Sequence, residues 1–332
     1  MSSKTALVTG ATGLLGRQVV RAFERKHWNV KGTGYSRADG VQILKVDLAN
    51  ASEIEKVLDT VKPQVVIHCA ANRFPDKCDA DPAGARALNV AATAALAARC
   101  AARDVLLVYI STDYVFAGRP GEAPYEADAA PAPTNLYGET KLDGERAALA
   151  EYERAGKQGL GAVLRVPVLY GDAEVPAESA VNVLLDTVWK AQQLDQSLGG
   201  GEGEKKKISM DHWAKRYPTN TEDVGRVCHD IAEKYLFSTP PGSRAALPRV
   251  LQFTSEDQFT KYEICQLLAE IMGLPLTTAM MEPNAQGNDP AAAVQRPYDT
   301  HLSTRALRDL GISVATMDFA GWWRWHVRAF RK

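Results

Sequence analysis

Thr5-Ala6-Leu7-Val8-Thr9-Gly10-Ala11-Thr12-Gly13-Leu14-Leu15-Gly16 decides how this chain folds. A short apolar run ends in glycines three residues apart, and Val19, Val20 and Phe23 continue at helical spacing. Strand, tight turn and helix in that order form a phosphate cradle, with N–H groups free at the positive helix end. A lone glycine pattern is a weak signal, but its place between a strand and a helix is the context the motif requires. Gly10, Thr12, Gly13, Leu14, Leu15 and Gly16 are therefore candidate dinucleotide contacts.

Working outward, the alternation of strands and helices continues. Residues 30–35, 41–47, 64–69, 105–110 and 162–166 read as strands, and 52–61 and 81–103 as helices. That pattern predicts an α/β fold, a Rossmann-type doubly wound parallel sheet. The second strand closes on Ser36-Arg37, where an acidic residue would hold the ribose of NAD and an arginine accommodates the 2′-phosphate of NADP. Arg37 favours NADP(H). Asp47 and Leu48 end the third strand, where an adenine would lie. Cys69, Ala70 and Ala71 end the fourth, small enough for a cofactor to lie close, and Cys69 reads as packing rather than as a reactive thiol. Asn89 interrupts the apolar face of the alanine-rich helix, as a satisfied core polar group or as a brace for a site.

Tyr137 and Lys141 are four apart and share one face of a helix opened by Asn135-Leu136-Tyr137. An ammonium beside a phenol lowers its pKa and makes it a usable proton donor near pH 7. Thr112, at the end of the fifth strand, is placed to hydrogen-bond the same carbonyl. Thr112, Tyr137 and Lys141 are the candidate catalytic set for hydride transfer to a small-molecule carbonyl substrate.

The chain has 332 residues, 45% hydrophobic and 24% charged, with a formal net charge of -1. These values describe an ordinary globular protein and give no electrostatic case for nucleic acid or an anionic membrane. No apolar run reaches the length of a membrane span, Met1-Ser2-Ser3-Lys4 leaves no room for a signal peptide, and a cytoplasmic location is expected. Five scattered cysteines without a C-x-x-C pair argue for reduced thiols and against a metal site. The expected division is a cofactor-binding core over 1–171 and a smaller C-terminal α/β lobe over 172–332, parts of which return to the core sheet. Signals at 250–254, 261–272 and 303–310 are assigned to that lobe. Residues 198–207, glycine- and lysine-rich, read as a surface loop. Met210-Asp211-His212-Trp213 and Arg216-Tyr217-Pro218-Thr219 either line a cleft or pack. Trp322-Trp323-Arg324-Trp325 either docks the end of the chain or forms a partner surface.

The glycine turn, Ser111-Thr112-Asp113-Tyr114-Val115-Phe116 and the Tyr137/Lys141 pair together resemble the extended short-chain dehydrogenases/reductases. Residues 111–116 and 137–141 look like the dTDP-4-dehydrorhamnose reductases. Residues 9–17, 68–71 with Arg73 and Pro75-Asp76, 136–145, 210–213, 218–219, 261–263 and 295–297 resemble the regulatory β subunits of methionine adenosyltransferase. The likeness spans about residues 4 to 312. It implies bound NADP(H), with contacts on Thr12, Gly13, Leu14, Leu15, Ser36, Arg37, Asp47, Leu48, Cys69, Arg73, Tyr137, Lys141 and Leu169. It also implies partnership with the methionine adenosyltransferase catalytic subunit. Three departures are expected: a longer loop at 196–207, no N-terminal extension, and an ending at Phe330-Arg331-Lys332 without the β subunits' short tail. The missing tail and the intact Thr112/Tyr137/Lys141 set weigh toward a reductase, and whole-chain likeness toward a regulator.

Overall fold

The computed structural model describes residues 4–196, 207–289, 291–292 and 294–328, so most of the loop at 196–207 and the ending at 330–332 lie outside the described residues. Strand β1 (Thr5–Thr9) is buried along its whole length, as a central parallel strand must be when helices cover both faces. It pairs in parallel with β2 (Asn29–Gly34) on one side and β4 (Val65–His68) on the other. With β3 (Ile43–Lys45), β5 (Leu106–Thr112), β6 (Gly161–Val166) and β10 (Val250–Gln252), the order is β10-β6-β5-β4-β1-β2-β3, all parallel. Strand order reverses between β1 and β4. At that point helices leave opposite faces of the sheet and open a crevice at the carboxyl ends of the strands.

The strand at 250–254, assigned from sequence to the smaller lobe, is instead the seventh strand of this sheet, in register with β6. Its apolar run is too short to reveal its partner. Helix α1 (Leu14–Glu24) packs against α8 (Thr221–Glu233), so that helix also belongs to the core. The turn into α1 is very tight. A Cβ on Gly16 would lie 2.2 Å from the Gly10 carbonyl oxygen, which no side chain tolerates.

The helix expected over 81–103 is broken. It runs as α4 (Pro82–Arg86), a π-helical turn (Ala87–Ala92) and α5 (Thr93–Ala102). The widened turn carries Asn89, whose amide bonds explain the break: it accepts from the Asn72 N–H at 2.8 Å and donates to the Asn72 carbonyl and the Thr140 hydroxyl, both at 3.0 Å. Asn89 is a brace between the loop after β4 and helix α6 (Leu136–Arg154). Asn135 caps α6 by accepting from the Gly138 N–H at 3.0 Å. The rotation of α6 is fixed by the ion pair of Glu145 with Arg165 of β6, at 2.7 Å and side-chain exposures of 3% and 4%. Losing one partner of so dry a pair costs about 3–5 kcal/mol.

A second apolar cluster gathers Tyr170, Val181, Leu184, Ile264, Leu268, Met281, Phe319, Trp322 and Trp323. It is built from α7 (Leu184–Gln196), α9 (Lys261–Met272), α11 (Phe319–His326) and the small parallel pair β8 (Ile208–Asp211) and β11 (Met281–Asn284). Of the terminal tryptophans, Trp322 and Trp323 pack edge-on at 4.9 Å in this cluster and dock the helix, whereas Trp325 is 68% exposed. No helix among the described residues is long and apolar enough to cross a membrane.

Candidate active site and cofactor cleft

A cleft of about 1110 Å³ opens at the carboxyl ends of β1, β2, β4 and β5 and runs on to α9. Every residue picked from sequence lines it: Gly10, Thr12–Gly16 in the turn, Ser36, Arg37, Asp47, Leu48, Cys69–Ala71, Arg73, Thr112, Tyr137, Lys141 and Leu169. At the turn, Gly13 is the N-cap of α1 and has no side chain to bond the first-turn N–H groups, while no acidic residue occupies that turn. Those N–H groups and the helix dipole are left for an anion. The volume, the uncapped helix and the small residues at 69–71 fit a dinucleotide.

Past β2, Arg37 reaches back over the turn and donates to the Thr12 carbonyl at 2.7 Å. The next carboxylate, Asp39, is turned away from the cleft. It accepts the N–H groups of Val41, Gln42 and Ile43 at 2.8, 2.8 and 2.9 Å, and these bonds hold its pKa below the usual range. Asp39 is thus no rival for a ribose, and a guanidinium stands where a 2′-phosphate would need one.

At the other end lie Thr112, Tyr137 and Lys141. The expected lowering of the Tyr137 pKa by Lys141 is not what the structure has. The Lys141 ammonium donates to the Ile110 carbonyl at 2.6 Å and lies 4.0 Å over the Tyr109 ring. Burial pushes the Tyr137 phenol up, opposed by a side-chain hydrogen bond with Thr112. Sharing a helix face sets proximity, but desolvation is the largest influence on the phenol. Burial also pushes Lys141 down to about 7, with Glu145 pulling the other way. The Thr112 hydroxyl, expected to meet a carbonyl, donates to Asp113 at 3.0 Å and accepts from the Tyr114 N–H at 3.2 Å. Burial raises Asp113 to about 6, against hydrogen bonds from Thr300 and Thr112 and the charge of Arg216. Cys69, pushed up to about 12 by burial, is a packing residue and not a thiolate nucleophile.

The Lys141 shift has a measurable consequence. From about pH 7 up to the ordinary lysine value of 10.5, the unfolded chain holds a proton on Lys141 that the folded chain does not. Stability contributed by this group therefore rises with pH through that window. Lys141→Met fills the space without a titrating amine and is expected to flatten the rise. Thermal unfolding of both proteins at pH 7, 8 and 9 checks it, and parallel curves would contradict the assignment.

Two sets of residues in the cleft were not singled out as site residues. Glu178 pairs with Arg17 at 2.6 Å, and Arg73 donates to the Glu178 carbonyl. Nothing at single-residue spacing marks Glu178, because its partner is 161 positions away. Arg216, Lys261 and Arg296 line the cleft close to one another. Arg216 faces Asp211 at 3.5 Å and Arg296 faces Asp76 at 3.0 Å. Burial, with repulsion from Arg216 and Arg296, pushes the Lys261 pKa down. Of the polar and aromatic cluster before α8, Arg216 lines the cleft. His212 and Trp213 instead pack on Tyr262 and Tyr298, both with ring centroids 5.0 Å apart.

The sequence profile of the RmlD substrate binding domain matches residues 4–322. The chain is 39% identical over 313 residues to methionine adenosyltransferase 2 subunit beta of Xenopus tropicalis, covering 94% of this chain and 84% of that protein. It is 39% identical over 317 residues to the same subunit of Danio rerio, covering 95% of this chain and 88% of that one. In fold it is similar to dTDP-4-dehydrorhamnose reductase from Bacillus anthracis, solved in complex with NADP. That likeness has a TM-score of 0.75 at 19% identity and covers 99% of both chains.

Proposed function

Because the chain belongs to the RmlD substrate-binding family of extended short-chain dehydrogenases/reductases, we propose that it is an NADP(H)-binding regulatory β subunit of methionine adenosyltransferase. The observation that carries this reading is the 39% identity to such subunits over 94% of the chain. Likeness over a whole chain constrains surfaces as well as a cleft, and surfaces make a subunit. The cytoplasm, where nicotinamide cofactors and thiols stay reduced, is the compartment this reading assigns. The test is S-adenosylmethionine synthesis by the catalytic subunit with and without this protein. A change in KM or maximal rate supports the reading, and identical kinetics refute it.

The cofactor would lie with its pyrophosphate on the first turn of α1, its 2′-phosphate at Arg37 and its nicotinamide end near Cys69, Tyr137, Lys141 and Leu169. Arg37→Ala is expected to erase most of an NADPH-over-NADH preference of about tenfold or more, ~1.4 kcal/mol. Fluorescence titration with both cofactors checks this, and equal wild-type affinities would contradict the assignment.

A second reading, an NADPH-dependent reductase, is favoured by the complete Thr112/Tyr137/Lys141 set beside Arg216, Lys261 and Arg296. Bound NADPH would supply the hydride. Tyr137 gives a proton from its hydroxyl to the carbonyl oxygen of the substrate, and Thr112 releases Asp113 to hold that oxygen. Lys141 must turn from the Ile110 carbonyl toward Tyr137 to favour the phenolate. The three cations suit an anionic substrate such as a nucleotide-linked 4-keto sugar.

A further inference from the structure

Residues 171–178, between β7 (Leu169–Tyr170) and α7, cross the open end of the glycine turn and bring carboxylates onto the arginines a cofactor would need. Glu174 pairs with the Arg37 guanidinium and lies 3.5 Å from Arg17. Glu178 lies 2.6 Å from Arg17 and 3.6 Å from Arg37, and its carboxylate accepts the Glu174 N–H at 3.0 Å. Asp172 adds a pair with Arg21 at 3.0 Å. The strap is therefore anchored at Glu178 and presents Glu174 at its outer edge.

The two pairs differ in strength. The side chains of Arg17 and Glu178 are 15% and 10% exposed, so that pair is shielded from water and anchors the strap. Arg37 and Glu174 are 52% and 54% exposed. A pair so wet is screened and easily replaced. Arg37 gives Glu174 one Nη1–H donor, which a carboxylate oxygen or a phosphate oxygen accepts equally well. A phosphate dianion carries more charge than a carboxylate and displaces it. The two groups compete for the same exposed end of the guanidinium, because Arg37 already spends Nη2 on the Thr12 carbonyl.

We propose that Glu174 stands in for the adenosine 2′-phosphate on Arg37 and competes with it, so that this residue sets how strongly the cleft prefers NADPH over NADH. The inference rests on the reading of the cleft as an NADP(H) site. When Glu174 holds Arg37 most of the time, the apparent affinity for NADPH is reduced by the fraction of Arg37 left free. NADH lacks the 2′-phosphate and does not need Arg37 released. It feels Glu174 only as a distant screened charge.

The experiment titrates NADPH and NADH against wild type, Glu174→Gln and Arg37→Ala, with thermal unfolding of each protein as a check on folding. Glu174→Gln keeps the size of the side chain and one acceptor oxygen and removes its charge. It is expected to bind NADPH about threefold or more tighter while NADH changes by less than about twofold. In the Arg37→Ala background the same substitution is expected to do nothing, since the contested group is gone. Weaker NADPH binding by Glu174→Gln would mean that Glu174 pre-orders Arg37, and would overturn the proposal. Unchanged NADPH binding, or equal tightening of both cofactors, would also overturn it while leaving the cofactor reading intact. A wild type that binds neither cofactor would overturn both.

Discussion

Gly13→Val abolishes NADPH binding and leaves a folded protein: that is the expected result at the turn. Gly13 has extended backbone angles, φ -81° and ψ 168°, which any residue adopts. A Cβ there would meet only the Gly10 carbonyl oxygen, at 3.3 Å. Losing a good N-cap costs about 1 kcal/mol, well within what a domain of this size survives. The branched side chain would instead fill the space above the first turn of α1, where a pyrophosphate has to touch the N–H groups. A loss of at least about a hundredfold in affinity, ~2.8 kcal/mol, is expected. Circular dichroism and cofactor titration on the same sample check both halves, and normal NADPH binding would show that the phosphates lie elsewhere.

The other large effect is expected at Tyr137. On the reductase reading, Tyr137→Phe removes the proton donor and lowers turnover by roughly 10²–10⁴-fold, with cofactor affinity little changed. On the regulatory reading the same change leaves stimulation of the adenosyltransferase intact, because the ring still fills its place beside Tyr114 at 6.0 Å. The paired measurement is NADPH oxidation with dTDP-4-keto-6-deoxyhexoses and S-adenosylmethionine synthesis with the catalytic subunit. Turnover that Tyr137→Phe destroys, with no effect of the wild type on the synthetase, would refute the regulatory proposal. Absence of turnover, with stimulation that survives the substitution, would refute the reductase.

The cleft was legible in the sequence because its parts sit at the ends of consecutive strands. Glycine turn, Arg37, Asp47, Cys69 and Thr112 fall where each apolar run stops, and parallel strands bring those stops to one edge. Lys141 follows Tyr137 by one helical turn, so their neighbourhood was readable as well. What escaped was whatever depends on pairing across the chain. β10 reads as a lobe strand until its register with β6 is seen, and Glu178 means nothing without Arg17. Asn89 was visible as an interruption, but its role needed Asn72 and Thr140, neither fixed by periodicity. The electrostatics at Lys141 are hidden from the sequence for a different reason. Spacing gives distance along a helix but not burial, and burial decides the charge on both Lys141 and Tyr137.

The most direct measurement for the account is purification of the tagged chain from its native cell, followed by identification of what elutes with it. The expected result is a stoichiometric methionine adenosyltransferase catalytic subunit, with NADPH released from the complex on denaturation. A chain that elutes alone, loaded with NADPH and turning over a carbonyl substrate, would contradict the regulatory reading.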